Sequence, residues 1–323
     1  MKTKLIFSTF IYSFFTAIIF LWFNSLFADF SVLIRMGFSL ILAAIILALL
    51  ILSKTLWRLY ALGVDILKAR SLVFGLAKTD FKNKFAGSYF GIAWAFVMPL
   101  VLVAMWSFVF QFALGRAEVG GVPFALWLVA GITPWFYFSE SWLGGNNALL
   151  EYSYLVKKVV FKIDILPVVK VISSAFVHVF FLTVALILFV AFGMPPSIHA
   201  IQLFYYLFAV SVLIMALNYL TSAITVFFRD FIQLLQVLLQ LGVWYAPILW
   251  SPADAPIPER FLWIFRINPM YYIVSGYRDS FINGVWFFER PFMTFYFWAL
   301  TIFILIIGTG LYGKMKPHYA DVL

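Results

Sequence analysis

Glu140 is the residue best placed to do chemistry, a carboxylate inside the run PWFYFSESWLGGNN with apolar segments on both sides. A charge in hydrocarbon is costly unless paired or wetted, so such a residue marks a transport path or a hydrogen bond to a neighbouring helix. Ser139, Ser141, Asn146 and Asn147 share its half of the segment, which suits a helix side turned toward protein or water. A second motif is Gly308, Gly310 and Gly313, which spell G-x-G-x-x-G, while Gly308 to Lys314 spells G-x-x-x-x-G-K. Neither reads as a nucleotide site. A dinucleotide fingerprint follows a strand and opens a helix, and a P-loop has Ser or Thr after the lysine, where this chain has Met315. Glycines in membrane helices instead permit close packing. The same explanation is expected for Gly87 and Gly91, with a dimer contact as an option.

Enzymatic chemistry has little to build on. Neither HExxH nor G-x-S-x-G occurs, cysteine is absent, and His178, His199 and His318 lie far apart without metal-ligand spacing. The sequence therefore predicts no catalytic residue, no metal and no cofactor in this chain. A membrane-embedded glycosyl or acyl transferase would have to use Glu140 or the acids Asp254, Glu259, Asp279 and Glu289.

The elements that position these residues are membrane spans. Of 323 residues 65% are hydrophobic, 21% aromatic and 11% charged, with mean hydropathy +1.04, which excludes a soluble protein. The formal charge of +9 comes from basic residues scattered among apolar runs. They orient spans and do not form a nucleic-acid surface. Leu5 to Ala28 reads as a retained span, since its apolar part is longer than a signal core, and Val32 to Leu52 returns the chain. Six further apolar segments, near Tyr89–Leu114, Phe124–Leu149, Val168–Phe192, Ile201–Phe228, Phe231–Trp250 and Phe292–Tyr312, run for about 20 residues or more, enough to cross about 30 Å of hydrocarbon. The expected fold is thus all-α, a polytopic membrane helix bundle. Residues 1–69 form a two-span hairpin with linker, and 70–323 a six-span domain. Apart from Arg35, Arg116, Arg260, Arg266, Arg278 and Arg290, the basic residues gather on one side. That side should be cytoplasmic and hold both termini.

Three stretches break the pattern. Between Arg70 and Ser88, Val73, Phe74, Ala77, Phe81 and Phe85 share one helix face, with Lys78 and Lys82 away from it. Such a helix lies flat in the membrane interface, or merely extends the next span. In Leu150 to Pro167, Tyr152, Leu155, Val156, Val159, Val160 and Ile163 fall opposite Lys157, Lys158 and Lys162, with Glu151 at the start. The pattern predicts a short amphipathic helix between two spans, a plain loop being the alternative. From Ser251 to Pro291, ERFLWIFR (Arg260, Trp263, Arg266) and MYYIVSGYRDSFI (Tyr271, Tyr272, Arg278) are two helix-sized units, with Pro269 suited to a first helical position. They either dip into the outer leaflet, sheltered by protein, or lie on its surface. Trp94, Trp135, Tyr137, Trp142, Trp244 and Tyr245 are expected to pack or face lipid, yet aromatic faces also suit sugar rings.

Three motif-bearing stretches together resemble the membrane subunit of ATP-binding-cassette polysaccharide exporters, the family serving O-antigen, capsule and teichoic acid export. They are TDFKNKFAGSYFGIAWAFVMPL from Thr79, then WFYFSES leading to LVKKVVFKIDILP, and finally FRD, YAPILW and NPMYYIVSGYRD between Phe228 and Asp279. The resemblance runs from about Arg70 to the end. It implies a permease of a bacterial inner membrane, in which two copies form a pore driven by two separate ATPase subunits that hold ATP and magnesium. The substrate is a lipid-linked polysaccharide. The stretch around Glu151 to Lys162, together with Arg229 and Asp230, would contact the ATPase, the flat helix would sit at the interface, and the two short helices would shape the exit. Trp94, Trp135, Tyr137, Glu140, Trp142, Trp244 and Tyr245 are then candidates to line the path. Residues 1–69 lie outside the family's six-span pattern. Lys162-Ile163-Asp164 replaces a proline and a basic-acidic pair, and Thr79 stands where an arginine is common. Export of small lipids or drugs is the alternative within this class.

Overall fold

Long apolar runs have one low-energy form in a bilayer, the helix that bonds its own backbone, and helices dominate the computed structural model of this chain. It describes residues 59–323 apart from 85, 116, 158–161, 253–256 and 259–260. The expected N-terminal hairpin lies outside the described residues, as do Phe85, Arg116, Lys158, Val159, Asp254, Glu259 and Arg260.

Within the unit Gly63–Leu323, helix α1 (Arg70–Asn83) follows the helical residues 63–68. A 3-10 turn (Gly91–Ala93), α2 (Trp94–Phe108) and a π turn (Val109–Ala113) make one continuous apolar segment. A two-strand ribbon, β1 (Glu118–Val119) with β2 (Val122–Pro123), precedes α3 (Phe124–Glu151). Its two-residue turn is Gly120-Gly121, with φ of 59° and 78°, the left-handed pair that a tight hairpin demands. The short α4 (Ser153–Val156) and a 3-10 turn (Ile163–Ile165) lead into α5 (Leu166–Ala191). After it come a 3-10 turn (Ile198–Ile201) and α6 (Gln202–Phe227), then α7 (Phe231–Tyr245). Next are α8 (Leu262–Arg266), α9 (Pro269–Arg278), α10 (Pro291–Met315) and the terminal α11 (Tyr319–Val322). By length and composition, Gly91–Ala113, Ile163–Ala191, Ile198–Phe227 and Pro291–Val322 can each cross a membrane. The 28-residue α3 is also long enough, about 40 Å at 1.5 Å per residue.

Helix α3 is the axis of the bundle, packed between α5 and α6, with α10 on the other side of α6. Its polar half faces α6. Tyr137 Oη meets Ser211 Oγ at 2.8 Å, Trp142 Nε1 donates to Thr221 Oγ1 at 3.2 Å, Asn218 Nδ2 donates to the Ser141 carbonyl at 3.3 Å, and Thr225 Oγ1 donates to Asn146 Oδ1 at 2.8 Å. In lipid no hydrophobic drive separates helix from tail, so such cross-helix bonds and small residues do the holding. Gly145 makes room for the ladder: a Cβ there would lie 2.0 Å from Asn218 Nδ2.

The glycine motifs resolve differently from one another. Gly308 lies within α10 against α6, where a Cβ would come within 2.8 Å of the Ala216 carbonyl oxygen, so close packing explains it. Gly87 and Gly91 do not form the expected helical packing pair. They carry φ of 81° and 51° in a turn before α2, with open space beside them, so their role there is conformational.

Gly145→Leu should force α3 and α6 apart and lower stability by ~1–3 kcal/mol. Gly310→Ala, on the same bundle but with nothing within 4 Å, should be neutral or stabilising. Thermal unfolding of the two variants in detergent checks the contrast.

Candidate functional site

The amphipathic stretch after α3 differs from its expected form. Helix α3 runs on to Glu151, Tyr152 breaks it with φ −99° and ψ 28°, and among the described residues of the stretch Ser153–Val156 forms the short α4, so the helix expected to run unbroken is interrupted at Tyr152. The 3.6-residue pattern continues across the break, but Tyr152 points back into the protein. Its hydroxyl donates to Asp80 Oδ1 of α1 at 2.8 Å. Burial, and then Asp80, push this phenol far above its ordinary range, so it stays a neutral donor. The same Asp80 oxygen takes Lys170 Nζ of α5 at 2.7 Å, and Lys170 also pairs with Glu151. Its ammonium lies 5.4 Å from the Tyr152 ring centre. Lys170 and Asp80 are only 10% and 12% exposed. One ammonium thus joins α1, the end of α3 and the start of α5.

The stretch is fastened at its other end as well. Lys162 pairs with Asp65 at 2.6 Å, and Asp164 pairs with Lys316. Tyr219 donates to the Asp164 carbonyl at 2.7 Å, and Tyr312 to that of Ile163 at 3.1 Å. Between these anchors Val156 is buried, Leu155 half-buried and Lys157 exposed. Arg229 and Asp230, both exposed, form the turn between α6 and α7.

Helix α1 packs on α5 through buried Val73 and Ala77, while Phe74 and Phe81 set their rings edge-on to Phe176 at 5.7 and 5.8 Å. Phe74 is nonetheless 55% exposed, and Lys78 and Lys82 face away from the protein. Glu140 has a partner: it pairs with Lys84, just past α1. Its partner therefore lies outside the neighbouring spans.

Several aromatic candidates are engaged in helix seams. Trp135 is buried against Gly242 of α7, where a Cβ would come within 2.5 Å of the indole. Tyr137 and Trp142 belong to the α3–α6 ladder. Trp94, Trp244 and Tyr245 are exposed, at 37%, 57% and 38%.

The segment after α7 is largely internal. Asn268 caps α9, accepting from the Met270 amide at 3.0 Å, and Pro269 takes the first position. Tyr277 Oη meets His178 Nε2 of α5 at 2.9 Å, Tyr272 Oη meets Tyr205 Oη at 3.0 Å, and Gly276 lets the Tyr206 ring sit on the α9 backbone. Such burial is incompatible with α9 lying on a membrane surface. Trp263 and Arg266 of α8 are exposed, and Tyr271 is half-buried. Buried Arg278 stacks on Trp127 at 3.3 Å and donates to the Pro247 and Ile248 carbonyls at 2.6 and 3.0 Å. Beside it Asp279 pairs with Arg290 at 3.0 Å. Burial raises the pKa of this carboxyl, against the opposing pull of Asn283 and the two arginines. A cavity of about 330 Å³ opens here, lined by Trp127, Tyr271, Arg278, Asp279 and Arg290 among others. Among the described residues no cluster of His, Asp or Glu could hold a metal.

Lys170 and Asp80 were not among the residues expected at this site. A lysine just inside an apolar span needs a carboxylate, and that was the available signal.

An apolar helical bundle with several helices long enough to cross a bilayer and one ion-paired end defines a polytopic membrane protein. The chain belongs to the family described as ABC-2 type transporter, which it matches over residues 71–282. It is similar to the O-antigen export system permease protein RfbA of Klebsiella pneumoniae, 26% identical over 261 residues, spanning 78% of this chain and 95% of the relative. The protein of the same name from Myxococcus xanthus is 26% identical over 262 residues, spanning 80% and 97%.

Arg278→Lys keeps the charge but cannot hold both carbonyls and the Trp127 face together. It should cost ~2–3 kcal/mol locally, as charged hydrogen bonds are lost. Faster protease cleavage of the segment 251–291 in the variant is the expected readout.

Proposed function

We propose that this chain is the permease subunit of an ABC transporter that exports a lipid-linked polysaccharide across the bacterial cytoplasmic membrane. Two copies form the pore, and two separate ATPase subunits bind ATP and magnesium. The likeness to O-antigen export permeases along nearly their whole length supports the substrate class. The Lys170 junction is the observation that carries the mechanism.

In this reading the Glu151 end of α3 faces the cytoplasm with both termini, as the gathering of basic residues favours. The ATPase contacts the exposed side of the 151–162 stretch, including Lys157, and the Arg229-Asp230 turn. Closure of the ATPase on ATP displaces that stretch. Because Lys170 ties Glu151 to Asp80, α1, α3 and α5 move as one body, a rigid-body transmission between two states. The far end, with α8 and α9, opens or closes the exit. The largely exposed apolar side of α2 is available to the second copy and to lipid. The N-terminal hairpin is an addition to this six-span core.

Lys170→Met should leave the ATPase bound but reduce export of surface polysaccharide roughly tenfold or more, since removing one partner strands two carboxylates. Lys170→Arg should restore part of it. Lys157→Glu should instead weaken co-purification of the ATPase. Unchanged export in Lys170→Met contradicts the mechanism, and a chain that never associates with an ATPase contradicts the function.

A further inference from the structure

Helix α7 has three distinct sides. Leu235, Leu239 and Val243 are buried, with Gly242 beside them against Trp135. Leu234, Leu238 and Leu241 are exposed and apolar. Between these sides run Gln233, Gln236, Gln240 and Trp244, all exposed. At 100° per residue the four lie within an arc of about 80°, and they follow the axis for roughly 16 Å.

None of the three glutamine side chains has a hydrogen-bond partner among the described residues, although α7 is an apolar helix of a membrane protein. The protein treats a glutamine held by its own fold otherwise: Gln202 Nε2 donates to the Val285 carbonyl at 2.7 Å, and its Oε1 accepts from the Phe287 amide at 2.9 Å. Unpaired amides cannot rest in hydrocarbon, where each donor and acceptor must find a partner. The stripe therefore meets water, a polar ligand or another helix. Close helix contact needs small residues on the meeting side. This side has none, and the one glycine of α7 is used on Trp135.

Resting on the export reading above, we propose that Gln233, Gln236, Gln240 and Trp244 line the path of the exported glycan. Each amide carries two donors and an acceptor and so can exchange bonds with successive hydroxyls. The steps between them, about 4.5 and 6 Å along the axis, are of the size of a sugar ring. Trp244 offers a ring face at the end of the stripe, where its carbonyl also takes the Trp250 indole N–H at 2.8 Å. The ligand class is a neutral polyhydroxylated chain, held by many weak and replaceable bonds, which a sliding polymer requires. The leucines beside the stripe face lipid.

The chain contains no cysteine, so single replacements report cleanly. In membranes holding the full transporter with its ATPase, Gln233→Cys, Gln236→Cys and Gln240→Cys should react with a sulfonated, membrane-impermeant maleimide about tenfold faster than Leu234→Cys and Leu238→Cys, because the thiolate forms only in water. The cells' own lipid-linked O-antigen should slow labelling at the glutamine positions severalfold compared with membranes from cells lacking it. The double variant Gln236→Leu with Gln240→Leu should reduce export while the copies and the ATPase still co-purify. Equal labelling at glutamine and leucine positions overturns the proposal, as does labelling that ignores the glycan. Loss of self-association in the double variant overturns it in favour of a contact between copies. If the wild-type transporter moves no glycan while the labelling contrast persists, the export reading fails and the glycan assignment falls with it, but the wet stripe stands.

Discussion

Much of the loop end of this protein depends on one ammonium. Lys170 sits between Asp80 and Glu151, with Tyr152 bonded to the same Asp80 oxygen. Desolvating such groups offsets much of their attraction, so the cluster contributes less to net stability than to fixing one arrangement. Removing Lys170 leaves both carboxylates without their shared ammonium. Three elements are thereby held in one register.

The same logic extends through the bundle. Apolar side chains give membrane helices little reason to choose one neighbour over another, and here the choice is made by polar pairs and by glycines that make space for them. Asn218 over Gly145 sets α3 against α6, Trp135 over Gly242 sets α7 against α3, and Arg278 over Gly131 sets α9 against α3. Each pairs a large or polar side chain with a missing Cβ. Helix α3 enters all three, and at its end meets Lys170. A displacement at Glu151 thus has a continuous packed route to the segment around α9.

Hydropathy and length were enough to read most of the long helices from Tyr89 onward, because the cost of exposed backbone in lipid leaves few options; the expected span from Phe231 to Trp250 instead forms a helix of only 15 residues, Phe231–Tyr245. Pro269 announced α9 as a first-position residue, which is a local signal. Other features were not local. The pattern over 150–167 hid the break at Tyr152, since helical periodicity does not register a change of axis. Asp80 and Lys170 are far apart in sequence, and Lys170 looked like a marker of topology. Trp135, Tyr137 and Trp142 looked like path-lining aromatics, but their surroundings depend on Gly242, Ser211 and Thr221 on other helices. Gln233, Gln236 and Gln240 carried no reading in the sequence, because their meaning rests on knowing which side of α7 is buried.

Spin labels placed at Lys78→Cys on α1 and Leu150→Cys near the end of α3 of the assembled transporter test the central claim most directly. If the Lys170 junction makes these elements one body, their distance distribution stays the same with and without ATP on the partner. A nucleotide-dependent change in that distance would contradict it.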